Sequence, residues 1–424
     1  MNSRSYKWLV VGLLWVVVML DYCARQIIYS VFPAIQTEMK LSSVQLGLLS
    51  ATFLWTYALM SPISGFVADR FGRRKVILGS LVVWSLGTWV TLYCANFHQL
   101  LATRALVGIS EAFYLPAGLA MIADYHGERS RSLATGIHQS GMYTGVILGG
   151  VGGGWLGQCY GWRSAFLLLG ILGVIYGAVL SLPLREAPNK KEELAANQVT
   201  FQKAFRELLT SRNYLALLFA AGGLAGAAYW IVFTWLPMFL YERYHMTLAM
   251  AGYTATFYTQ IGSFAGVLLG GIVADRWSRR NPTARLLMMV IGFMIAGPFL
   301  FLMGCTSAIA ILPVILIMFG VGRGVLDANN MPTMCQIVPP SYRATGYGVQ
   351  NCAHFLVGGG MAAVAGAMKD GIGLGFGFQL SAALLIVSGL VLLCLRSSFN
   401  KITPNKWPAG TVTEQMVRAQ NEQG

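Results

Sequence analysis

Gly65-Phe-Val-Ala-Asp69-Arg70-Phe-Gly-Arg73-Arg74 recurs downstream as Gly271-Ile-Val-Ala-Asp275-Arg276-Trp-Ser-Arg279-Arg280. Each copy follows the second apolar stretch of a set of six, so the unit that is repeated is half the chain rather than the decapeptide alone. A second correspondence extends the repeat: aligning Pro116 with Pro332 also superposes Gly108 on Gly324 and Glu111 on Asp327.

Composition fixes what kind of unit is repeated. The 424 residues are 56% hydrophobic and 11% charged, against about a quarter charged in soluble domains. Apolar stretches of roughly 20 residues mark membrane spans. Twelve are expected, near 8–30, 44–67, 75–94, 99–123, 132–156, 162–183, 213–240, 249–272, 285–304, 309–336, 343–368 and 374–396. The fold class expected is therefore an all-α integral membrane protein of twelve transmembrane helices in two pseudo-symmetric six-helix bundles. The first bundle covers 1–183 and the second 213–398, with a polar linker at 184–212 and a tail at 399–424. The apolar run from Trp8 to Leu20 is interrupted by Asp21 and Arg25 and has no small-residue cleavage site, so it reads as an uncleaved first span.

The net charge of +14 would suggest nucleic acid in a soluble chain. Here the cations collect in alternate loops: Arg70, Arg73, Arg74 and Lys75 between spans 2 and 3, Arg129 and Arg131 between 4 and 5, Lys190, Lys191, Lys203 and Arg206 between 6 and 7, and Arg276, Arg279, Arg280 and Arg285 between 8 and 9. By the positive-inside rule these loops and both termini are cytoplasmic. The expected partner of the surface is a lipid bilayer and not nucleic acid. Seven cysteines lack the paired spacing of a metal site or disulfide framework. No Ser/His/Asp constellation suggests an enzyme. Among the histidines, His138 and His354 occupy matching places in spans 5 and 11 and read as packing residues that could face a cavity.

Charged residues inside spans cost several kcal/mol at the low end and commonly line an aqueous path. Three groups occur: Asp21 with Arg25, Arg104 with Glu111, and Arg323 with Asp327. Asp21 and Arg25 stand one helical turn apart. Arg104 and Glu111, seven residues apart, share a face. Arg323, Asp327 and Asn330 form one stripe that lipid would not accept. Gln139, Tyr143, Gln260, Gln350 and Asn351 supply neutral groups suited to hydroxyls, and Tyr22 and Tyr229 add aromatic surface with a polar tip. The glycines from Gly145 to Gly154 read as sites of close helix approach. Pro237, near the end of span 7, is positioned to break that helix.

The Gly-x-x-x-Asp-Arg-x-Gly-Arg-Arg stretch resembles the signature loop of the major facilitator superfamily. That resemblance implies two six-helix halves rocking about a substrate site near the midplane, with Asp69, Arg70, Arg73, Arg74, Asp275 and Arg276 as a conformational latch at helix ends. Asp21-Tyr22-Cys-Ala24-Arg25 and Arg104-x-x-x-Gly108-x-x-Glu111…Pro116 resemble the anion:cation symporter branch, as does Thr234-Trp235-Leu236-Pro237. The resemblance implies an inner-membrane carrier that takes up an acidic sugar such as a hexuronate, aldonate or sialic acid, with protons as coupling ion, no other cofactor and no partner subunit. Arg25 would bind the carboxylate. Arg104 and Glu111 would carry the proton coupling, shared with Asp21 and Asp327, because Ala24 stands where the branch has an aspartate. Sugar-phosphate antiport and a non-transporting sensor are the alternatives.

Overall fold

A computed structural model of the protein describes residues 3–186, 201–339 and 342–396. The middle of the linker and the tail lie outside these, as does the side chain of Asp69. Every regular element among the described residues is helical.

The first bundle comprises Ser3–Ser30, Ser43–Phe71, Arg73–Val90, Phe97–Glu111 continuing as Tyr114–Tyr125, Glu128–Tyr160, and Trp162–Ser181 as spans 1 to 6. The second comprises Ala225–Arg243, preceded by Arg212–Leu217 and a π-helical Leu218–Leu224, then Leu248–Tyr253 leading through a π-helical Thr254–Tyr258 to Thr259–Ser278, then Ala284–Cys305, Leu312–Ile337, Arg343–Lys369 and Leu374–Cys394 as spans 7 to 12. Eleven of the described helices are long and apolar enough to cross a membrane. Span 5 is the twelfth. At 33 residues it has ample length, but Gln139, Ser140 and its glycines dilute its hydropathy.

Backbone interruptions follow the side chains. Span 4 breaks at Ala112 and Phe113, four and three residues before Pro116, because proline provides no N–H for the carbonyl four residues back and its ring crowds that carbonyl. Glu111 consequently ends a helix. Pro237 does not act as expected: the helix runs unbroken from Ala225 to Arg243. The irregularity of span 7 sits instead in the π-helical turn containing Gly222 and Gly223, where the backbone's width changes without a proline.

Glycines set the helix contacts. A Cβ on Gly141, Gly145 or Gly149 would overlap span 1, while one on Gly150 or Gly154 would overlap span 8 at Thr256 and the Leu248 carbonyl. The aligned glycines occupy equivalent places in the two halves. Gly108 of span 4 lies against the Phe53 carbonyl of span 2, and Gly324 of span 10 lies against the Ser263 carbonyl of span 8.

The halves meet at one end. Span 2 contacts span 11 through Gly47 against Ala362 and Ala363, Trp55 Nε1 donating to Leu356 O at 3.0 Å, and Ser43 Oγ donating to Asp370 Oδ1 at 2.6 Å. Spans 5 and 8 touch through Gly150, Gly154 and Gly252, and the short helix Phe32–Met39 that follows span 1 meets span 7 through Phe32 and Trp235. All these residues lie toward the face remote from the arginine-rich loops. From this closed roof a cavity extends toward the arginine-rich face, where Leu119, Met331 and Tyr347 line it.

The contacts described for Arg73, Arg74 and Asp275 are with their own half. Arg73 pairs with Asp124 and donates to Ala120 O at 2.7 Å; Arg74 Nη2 donates to Ser181 O at 2.6 Å. Glu186 accepts the backbone N–H groups of Arg73 and Arg74 at 2.9 and 3.0 Å, placing an anion at the N-terminus of span 3. Asp275 pairs with Arg285 at 2.8 Å. Arg70 is exposed over Phe71.

Candidate functional site

The cavity between the halves has a volume of about 330 Å³ and is lined by residues of both, within the range of small-ligand sites. Tyr22, Arg25, Gln139 and Tyr143 face it from the first half, and Tyr229, Gln260, Arg323, Asn330 and Asn351 from the second. The structure thus brings together all nine substrate-site residues singled out in the sequence. Spacing along single helices did not single out Tyr57, Trp230, Phe233 or Phe355, which also line it. These four look like ordinary apolar span residues until the helices are assembled. His354 lines the cavity, whereas His138 is buried against Tyr114, 2.8 Å from its hydroxyl.

Arg25 is the pivot of the first half. It is 5% exposed. Its Nε and Nη2 donate to Glu111 Oε2 at 3.3 and 3.0 Å, and Nη2 also reaches Asp21 Oδ2 at 3.4 Å. The guanidinium lies 4.6 Å from the Tyr22 ring centroid and 5.0 Å from those of Phe53 and Tyr57. Charge-assisted bonds to two carboxylates and stacking on aromatic faces explain how one cation persists at this depth. Glu111 reaches Arg25 because span 4 ends there.

Pairing within span 4, which the spacing of Arg104 and Glu111 suggests, is not formed. Among the described residues Arg104 makes no hydrogen bond or ion pair; its Nε and Nη2 are buried without partners, and its guanidinium lies 4.7 Å from the Phe53 ring centroid. Glu111 Oε1 and Asp21 Oδ1 are likewise unpartnered. Asp21, Arg104 and Glu111 stand behind the cavity wall, with Arg25 between two of them and the space a ligand would fill. Four ionisable groups of opposing sign and several unspent hydrogen-bonding atoms form a poised cluster, since buried polar atoms left unpaired cost about 1–3 kcal/mol each.

In the second half Arg323 Nε is 3.7 Å from Asp327 Oδ2, and Gln350 Nε2 donates to Asn330 Oδ1 at 2.9 Å. Tyr29, Ser50 and Thr234 form a hydroxyl chain across the roof, with Ser50 to Thr234 at 2.8 Å joining the halves.

Comparisons with known proteins agree with this architecture. The chain is 28% identical over 370 residues, 79% of its own length and 81% of the other's, to a probable galactarate/D-glucarate transporter, GudP, of Bacillus subtilis. It is 24% identical over 423 residues, 94% of its length and 96% of the other's, to a probable sulfoacetate transporter, SauU, of Cupriavidus necator. Its fold matches a bacterial homologue of the human lysosomal transporter Spinster, solved inward-facing and unoccupied, with a TM-score of 0.77 at 22% identity, covering 94% of this chain and 99% of that one. The model of one family matches residues 14–363, from the first span into the eleventh, so the chain belongs to the Major Facilitator Superfamily and is a multi-pass membrane transporter rather than an enzyme.

Proposed function

We propose that the protein is a proton-coupled symporter of an organic anion, an acidic sugar of the hexuronate, aldonate or related class. The observation that carries this reading is Arg25, which lines the cavity while Glu111 and Asp21 hold it from behind. An incoming carboxylate competes for the same guanidinium. A carboxylate of the protein released from its cation in a dry site is costly as an anion, and proton uptake relieves that cost. Substrate binding and proton binding are thereby linked through one side chain. Neutral amides and tyrosines around the cavity suit the hydroxyls of a sugar acid, and the galactarate/D-glucarate and sulfoacetate relatives are carriers of small anions by name. The arginine-rich face is cytoplasmic on this reading, the membrane is the inner membrane of the cell, and the conformation is inward-open.

Proteoliposomes with a trapped pH dye test it. Adding D-glucuronate or D-gluconate to one side should drive substrate-dependent proton movement. Binding without proton or substrate movement would leave a sensor instead. A second reading, exchange of a phosphorylated sugar, draws on the fact that Arg25 and Arg323 face one cavity from opposite halves; inorganic phosphate competing with the sugar acids would favour it.

A further inference from the structure

Arg25 and Arg323 line the same cavity but use their donors differently. Arg25 gives three hydrogen bonds to carboxylates of the protein. Among the described residues Arg323 gives none: its Nε stands 3.7 Å from Asp327 Oδ2, and its Nη1 is buried without a partner. The Asp327 side chain is 45% exposed, so solvent screens the pair and leaves it weak. Aromatic rings hold the Arg323 guanidinium instead, with Cζ 4.4 Å from the centroid of Phe233 and 5.9 Å from that of Tyr229. A guanidinium fixed through its faces keeps its edges for a planar anion. The same cavity is lined by neutral Gln139, Gln260, Asn330 and Asn351, groups that pair with hydroxyls.

We infer that Arg323 is a second carboxylate anchor, and that the preferred substrates are open-chain polyhydroxylated dicarboxylates held with one end on Arg25 and the other on Arg323. This rests on the acidic-sugar reading above and, within acidic sugars, shifts the preference from the monocarboxylate hexuronates and aldonates to diacids, because a monocarboxylate leaves the second anchor unspent. A ligand gripped by both halves gains its second charged contact from the half opposite the first. Diacid recognition is therefore tied to the relative position of the bundles.

D-Glucarate and D-gluconate differ at one end only, carboxylate against hydroxymethyl, and are the probes. Isothermal titration of purified full-length protein should give D-glucarate about 10- to 100-fold tighter binding than D-gluconate, the range for one charge-assisted contact. In Arg323→Gln that ratio should collapse toward one, and Arg323→Lys, which keeps charge without the fork, should fall between. Equal or tighter binding of D-gluconate by the unmutated protein overturns the inference while leaving the acidic-sugar reading standing. So does an equal proportional loss of both ligands in Arg323→Gln. Binding of neither acid by the unmutated protein overturns both. Where the variants fold poorly, the ratio in the unmutated protein still tests the diacid preference.

Discussion

Replacing Glu111 by glutamine should tighten substrate binding while lowering stability. The carboxylate accepts two N–H groups of Arg25 on one oxygen, at 3.3 and 3.0 Å. A hydrogen bond to a charged group contributes about 1.5–3 kcal/mol against about 1 for a neutral pair. The isosteric amide still accepts from the charged guanidinium but lacks the opposite charge, and so holds Arg25 less firmly by about 0.5–2 kcal/mol. A substrate carboxylate that competes for this guanidinium regains that difference, a gain of about 2- to 30-fold in affinity. Stability moves the other way, because Arg25 keeps only Asp21 at 3.4 Å as an anionic partner; full loss of a buried partner costs about 3–5 kcal/mol, and the retained amide bond makes the effect smaller. Opposite signs separate this outcome from simple misfolding. D-Gluconate affinity measured by isothermal titration between pH 5.5 and 8 is the assay. In the unmutated protein binding should strengthen as pH falls, because protonating the competing carboxylate frees Arg25, and Glu111→Gln should flatten that dependence. Weaker binding by Glu111→Gln with the pH dependence intact would mean that Glu111 does not compete with substrate for Arg25.

Arg25→Lys should lose at least about tenfold in D-gluconate affinity, since lysine keeps the charge but has no fork with which to face a carboxylate and Glu111 together; unchanged affinity in folded protein would remove Arg25 from the site. Gly154→Ala should shift the protein toward opening at the arginine-poor face, because the added methyl overlaps the Leu248 carbonyl where the halves meet; spin-label distances across that face should lengthen, and unaltered distances would count against this closure. Glu38, on the short helix Phe32–Met39 after span 1, is hydrogen-bonded by Arg163 and Trp162, and the Arg163 bond holds its carboxyl below the usual range. A depressed value means stability that is present above the unfolded value of about 4.3 and lost as pH falls through the folded one. Melting temperature should thus decline on acidification below about pH 4.3 more steeply in the unmutated protein than in Glu38→Gln, and parallel curves would exclude the contribution.

The spans were legible because bilayer-length apolar runs leave few alternatives. The repeat was legible because both copies keep the same punctuation of glycine, aspartate and arginine. The break of span 4 follows from Pro116, whereas the π-helical turns at Leu218–Leu224 and Thr254–Tyr258 carry no residue that demands them, and Pro237 is accommodated without a break. The site shows the same division. Helical periodicity relates residues three, four or seven apart, so it joined Asp21 to Arg25, Arg104 to Glu111 and Arg323 to Asp327. It has no access to partners on other helices. The strongest contact of Arg25 is with Glu111, 86 positions away, and among the described residues that contact leaves Arg104 against Phe53 without a carboxylate partner.

On the proposed mechanism Arg25 is shared between Glu111 and the substrate. The structure of the protein with a bound sugar acid tests it most directly. A substrate carboxylate oxygen should stand within about 2.7–3.2 Å of the Arg25 guanidinium, with Glu111 withdrawn from hydrogen-bonding distance. A bound sugar acid that leaves the contact between Arg25 and Glu111 intact, with its carboxylate elsewhere in the cavity, would contradict it.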